Sequence, residues 1–138
     1  MAMLFDDESG YPSVAEAVEA LRTVIGTTRE QIDRLDRERR ELDGTDTVGV
    51  PAGYTEMLGF YLSRERITPL HTLFVLARVF RRFTEARPAK ALYHPFFAVG
   101  VAGGELAANL YQEFAHLEEA TDYAQGIAEI ALAAKRSG

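Results

Sequence analysis

The sequence contains no cysteine and no tryptophan. Without cysteine the chain cannot build a disulfide framework, a thiolate metal site or a cysteine nucleophile. The first ten residues lack the basic and apolar regions of a signal peptide, so we expect a cytoplasmic protein. No long hydrophobic run is present either, because the longest stretch without a charged residue, Ala91 to Gly104, is shorter than the roughly 20 residues that cross a bilayer. We therefore expect no contact with a membrane.

The 138 residues are 47% hydrophobic and 26% charged, which is typical of a globular protein of one domain. The net charge is −6, but it is unevenly distributed. The segment from Arg64 to Lys90 contains seven basic and two acidic residues and is named here the basic island. The acidic remainder of the chain could neutralise the basic island, or the island could bind an anionic partner.

A helix is predicted to begin at Ser13, after a tail over residues 1–12. The serine oxygen can cap a free backbone N–H, and Glu16, three positions later, can reach back to the cap. From there a heptad pattern with alternating spacings of four and three continues to residue 42. Its aliphatic members form a seam: Val14, Val18, Leu21, Ile25, Ile32, Leu35 and Leu42.

Gly26 leaves two interpretations of residues 13–43 open. The heptad pattern favours one continuous helix. Gly26 followed by Thr27, with Glu30 three positions later, is also typical of a helix end and a fresh capping box, which would give a hairpin of two helices.

The remainder of the chain is predicted to be a loop over residues 44–53 and a helical core over residues 54–138. Three glycines and a proline mark the loop. Helices are expected over 54–62, from Thr68 and Pro69 to Glu85, and from His94 and Pro95 to about Lys135. The predicted fold is therefore an all-α helical bundle in one domain, with a heptad helix or hairpin at its N-terminus and a long C-terminal helix.

Two features predict self-association. The seam is narrower than the face of an ordinary core helix, which favours pairing with one other helix, although that helix could belong to the same chain. Gly100 and Gly104 lie four residues apart among small residues and would allow a second helix backbone to approach closely. We expect a homo-oligomer held by the seam and by this small-residue face.

The basic island is also a candidate surface. Arg78, Arg81, Arg82, Arg87 and Lys90 could bind an anion or a partner. They could equally form a solvated helix face paired with the chain's own acids, a contact for a protein, or a contact for nucleic acid. The acidic net charge opposes general attraction to nucleic acid.

Catalytic signatures are lacking. No Gly-x-Ser-x-Gly elbow, recognisable triad or phosphate-binding glycine loop is present. Glu113 and His116 have the i, i+3 spacing of carboxylate-histidine metal sites in helical bundles, but no second pair accompanies them. We therefore expect a non-catalytic assembly or adaptor protein without a cofactor. A helical protein that binds nucleic acid and a carboxylate-histidine metal protein are the alternatives.

Overall fold

A computed structural model describes residues 10–43, 50–103 and 111–137. The chain has an α+β fold, so the prediction of an all-α helical bundle is wrong. Its elements in chain order are α1 (Val14–Ile25), α2 (Arg29–Asp43), β1 (Tyr54–Thr68), β2 (His71–Phe83), β3 (Ala91–Ala102), β4 (Tyr111–Phe114) and α3 (Leu117–Ser137). The strands form one antiparallel sheet in the order β1-β2-β3-β4.

The contacts within the chain define two compact units. The first contains the chain up to Phe60 together with Ala77–Phe96, and the second contains Tyr61–Leu76 together with the chain from Phe97 onward. Each of β1, β2 and β3 contributes residues to both units. The single domain expected from the sequence stays a prediction.

The two N-terminal helices begin and end where their caps dictate. The Ser13 side chain accepts a hydrogen bond from the Glu16 backbone N–H at 3.2 Å, which confirms the predicted start of α1. Gly26 ends α1 in the left-handed conformation, with φ of 70°, which glycine adopts without steric cost. The continuous helix is therefore wrong and the two-helix alternative is correct. Thr28, whose hydroxyl oxygen accepts from the Gln31 N–H at 3.2 Å, precedes α2.

The central strand β2 is the clearest departure from the predicted helices. Every residue from Leu73 to Phe80 is buried. A strand covered on both faces shows a continuous apolar run instead of period-two alternation, and such a run cannot be told from a buried helix by periodicity. Thr68 and Pro69 are predicted to cap a helix. They lie instead at the end of β1 and in the connection to β2.

β1 and β4 are the two edges of the described sheet. In the first unit, α2 lies along the β1 edge: the Asp36 carboxylate accepts from the Gly59 N–H at 3.0 Å, and Arg40 donates to the Met57 carbonyl at 3.2 Å. These side chains satisfy backbone groups that an edge strand would otherwise expose. In the second unit, β4 pairs with β3 in antiparallel register, with Phe97 opposite Phe114.

The residues predicted to open the C-terminal helix, His94 and Pro95, lie inside β3. Tyr93, next to them, exchanges two backbone hydrogen bonds of 2.9 Å with Tyr11, so residues just before α1 extend the pairing of β3. The helical prediction for this region is wrong, because aromatic and β-branched residues on β3 favour a strand.

A C-terminal helix does exist, but it begins only at Leu117. Its buried residues Ala120 and Ala124 lie one turn apart, so they share the side of α3 that is turned to the interior of the second unit. Phe114 of β4 contacts Tyr123 of this helix, with ring centroids 5.2 Å apart. Among the described helices, none combines the length and the apolar character needed to cross a membrane.

Candidate functional site

A buried ionic cluster joins α2 to the sheet within the first unit. Glu56 on β1 accepts from the Arg78 Nε on β2 at 2.7 Å, and its second oxygen accepts from Arg39 on α2. The side chains of Arg39, Glu56 and Arg78 are 4%, 7% and 0% exposed. The Arg78 guanidinium also lies over the Phe80 ring, 4.5 Å from its centroid.

This cluster has the properties of a structural device. Arg39 and Arg78 both pair with one carboxylate that water scarcely reaches. With 7% of its side chain exposed, Glu56 offers a substrate almost no accessible surface. Charged groups taken out of water are tolerated only when they are paired and hydrogen-bonded, so the cluster ties α2 to β1 and β2 in one register.

A second buried polar group, His94, lies in an aromatic cluster of the first unit. Its imidazole stacks on Phe96, with ring centroids 6.3 Å apart, and meets Tyr54 edge-on. Gly10 packs against the ring so closely that a Cβ at this position would lie 2.6 Å from the imidazole Cε1. Burial, and secondarily the charge of Arg82, lowers the pKa of His94 to about 4. The imidazole is therefore neutral at neutral pH and serves as a packed core residue.

The predicted self-association seam is largely used inside the chain. Val18, Leu21 and Ile32 are fully buried in the first unit. The remaining members differ: Val14, Ile25 and Leu35 are half-buried and Leu42 is exposed. Gly100 is buried within β3 instead of lying on a helix face, and Gly104 lies outside the described residues. The three buried members of the seam are therefore not available to a second copy, and Gly100 does not lie on a helix face.

The basic island is divided between the interior and the surface. Arg78 and Arg82 are buried on β2, so they do not belong to a surface. Arg81 is half-buried, with its guanidinium 5.2 Å from the centroid of the exposed Phe83 ring, while Arg87 and Lys90 are exposed.

The predicted metal pair does not share a helix. Glu113 lies on β4, where it accepts a hydrogen bond from the Tyr111 hydroxyl, and His116 is exposed between β4 and α3. The i, i+3 geometry of a helical bundle is therefore not formed by these residues. Within residues 10–43, 50–103 and 111–137, no group of three or more potential metal ligands is brought together.

Two exposed surfaces of the structure are not predicted from the sequence. One is the second half of α3, where Ile130 is 72% exposed and Leu132 is 50% exposed. The sequence does carry a signal for this apolar surface, because seven of the eight residues from Ile127 to Ala134 are apolar. A helix that is apolar nearly all round is normally buried on all sides. The other surface is the outer part of the β1 edge, which is recognisable only when residues 54–68 form a strand instead of the predicted helix.

The cluster around Glu56 and the ring of His94 are enclosed, whereas Ile130 and Leu132 expose apolar side chains two residues apart on one helix. Comparisons with protein families, curated proteins and solved structures found no match to the chain.

Proposed function

We propose that this protein is a non-catalytic assembly protein that forms a homodimer through the second half of α3. The observation that supports the proposal is a change along α3 in the residues exposed to solvent, from acidic in the first half to apolar in the second. In the first half the exposed residues include Glu118, Glu119 and Asp122. In the second half they include Ile130 and Leu132.

The geometry of the helix makes this apolar surface wide. Measured around the helix axis, Ile130 and Leu132 lie about 100° to either side of Ala131, which is half-buried. Scattered exposed apolar residues are normal on protein surfaces. Here they lie in a run of eight residues with Glu129 as its one charged member, so a partner that covers both flanks would bury them together.

A second copy of the same helix is the partner that fits best. In an antiparallel pair of α3 helices that cross near Ala131, Ile130 of each copy lies beside Leu132 of the other, so each copy covers the apolar side chains of its partner. A Cβ added at Gly126 would meet nothing within 4 Å, so the backbone there is open to close approach. A two-fold axis near Ala131 would use these apolar residues twice.

Light scattering of purified protein tests the proposal. We expect a dimer at tens of micromolar, and a monomer for the double variant Ile130→Glu and Leu132→Glu. The control is Val24→Glu, because Val24 is an apolar residue of α1 that is 56% exposed and is not part of α3. Circular dichroism verifies that each variant is folded. A wild-type monomer, or a double variant that remains dimeric, contradicts the proposal.

The alternatives have less support. Of the five residues predicted to form a surface for an anion or a partner, burial of Arg78 and Arg82 leaves Arg81, Arg87 and Lys90, and no observation favours nucleic acid over protein. The cytoplasmic location stays a prediction.

A further inference from the structure

The part of β1 that belongs to the second unit is an edge strand that carries exposed charged residues. Ser63, Arg64, Glu65 and Arg66 are consecutive strand residues, and all four are exposed. In the described part of the chain, no hydrogen bond from outside the sheet reaches them. Alternate N–H and C=O groups of an edge strand point away from the sheet and can pair with another extended chain.

The charges on this edge decide which chain can pair with it. Arg64 and Arg66 are two residues apart and so lie on the same side of the strand. The Arg64 guanidinium lies 4.9 Å from the centroid of the Tyr61 ring, so part of its surface is held against its own strand. Glu65 lies on the opposite side.

A second copy of β1 does not fit this edge. In an antiparallel pair related by two-fold symmetry, every register near Arg64 and Arg66 places arginine opposite or diagonal to arginine. Like charges in these positions destabilise strand pairing. Charges of this kind protect natural sheet edges from self-association. An extended segment with acidic residues at every second position makes the opposite, favourable pairs.

We infer that the Ser63–Arg66 edge of β1 binds an extended, acidic segment of a partner protein by adding it to the sheet as a fifth strand. The main-chain hydrogen bonds supply the docking, and Arg64 and Arg66 select the acidic side chains. This inference is independent of the homodimer, because it uses none of the residues of α3.

Fluorescence anisotropy with synthetic peptides tests the inference on the full chain. The probe is a labelled peptide of sequence Thr-Glu-Val-Glu-Val-Glu-Thr, and its matched control has lysine in place of glutamate. Two further forms of the acidic probe carry backbone N-methyl groups, on its odd or on its even residues. We expect the acidic probe to bind about ten-fold more tightly than the lysine form at low salt, because two charge pairs replace two repulsions. One N-methylated form should lose binding and the other should keep it, since only one side of the peptide faces β1.

Variants locate the binding on the edge. The double variant Arg64→Glu and Arg66→Glu should reverse the preference to the lysine peptide. The control, Arg34→Glu with Arg37→Glu on the exposed side of α2, makes the same change in net charge and should leave the preference intact. Equal binding of the two peptides, retained binding by both N-methylated forms, or an equal effect of the α2 control would each overturn the inference.

Discussion

Replacement of Glu56 by glutamine should be among the most damaging single substitutions in the chain. The variant keeps the shape of the side chain but removes the carboxylate that pairs with both Arg39 and Arg78. Within the described residues, the Nε and Nη1 atoms of Arg39 have no hydrogen-bond partner, so Arg39 depends on Glu56 for its pairing. Removing one partner of a buried ion pair costs about 3–5 kcal/mol, because the remaining charge stays out of water.

Urea unfolding followed by circular dichroism measures this effect. With an m-value of about 2 kcal/mol/M for a chain of this size, the unfolding midpoint should fall by about 2 M. The matched control is Glu19→Gln, because Glu19 pairs with Arg22 on the surface of α1 and its side chain is 60% exposed. We expect the control to leave the unfolding midpoint nearly unchanged, because solvent screens the exposed pair.

A triple variant separates the charge effect from general damage. Replacing Arg39 and Arg78 by methionine in the Glu56→Gln background removes the buried charges, and much of the lost stability should return. The reasoning is refuted if Glu56→Gln costs no more than Glu19→Gln. It is also refuted if the triple variant is less stable than Glu56→Gln.

Three further predictions concern His94 and the caps of α1. His94 has a folded-state pKa of about 4 against 6.5 in the unfolded chain, so its contribution is complete above pH 6.5 and is lost as the pH falls towards 4. Unfolding titrations should show that the wild type loses about 3 kcal/mol of unfolding free energy across this window. This loss should be missing in His94→Gln and retained in the control His116→Gln, where the replaced histidine is exposed. Identical pH profiles for the wild type and His94→Gln would contradict the assignment. Gly26→Ala should cost about 1 kcal/mol in chemical denaturation, from the left-handed φ alone, because a Cβ there meets nothing within 4 Å, and an unchanged midpoint would argue against the cap. Ser13→Ala should cost about 1 kcal/mol and Ser13→Asp much less; equal losses would show that the side-chain cap is unimportant.

The sequence predicted the local features of the first unit because local signals are strong there. Ser13 and Glu16 define a cap within four residues, and Gly26 carries its conformational preference wherever it occurs. Whether the heptad pattern or Gly26 prevails depends on packing: Ile32 is buried in the chain's own core, and a continuous coiled coil is not formed. That competition is not encoded in residues 13–43 alone.

The sheet escaped prediction for a physical reason. Leu73 to Phe80 is buried on both faces, so the alternation that reveals a half-buried strand is missing. Apolar residues at 70, 73, 74, 77, 80 and 83 then match a helical period by coincidence. The enrichment of β2 in Val75, Val79 and aromatic residues was the available counter-signal.

The long-range contacts of the candidate sites lay beyond sequence reasoning. Arg39 and Glu56 are 17 residues apart, and Glu56 and Arg78 are 22 apart, so only the folded sheet brings them together. Once β2 is a strand, Arg78 becomes a core residue instead of part of a basic helix face. The apolar run in α3, in contrast, is visible in the sequence, and its significance emerged when the structure left Ile130 exposed.

The mass of the wild-type protein in solution tests the central claim most directly. Sedimentation equilibrium at tens of micromolar should give twice the chain mass of 15.3 kDa. Substituting Ile130 and Leu132 by glutamate removes roughly 5 kcal/mol of apolar burial per dimer, so the dissociation constant of that variant should rise by about 10³-fold or more. A single species of 15.3 kDa for the wild type across this concentration range would contradict the account.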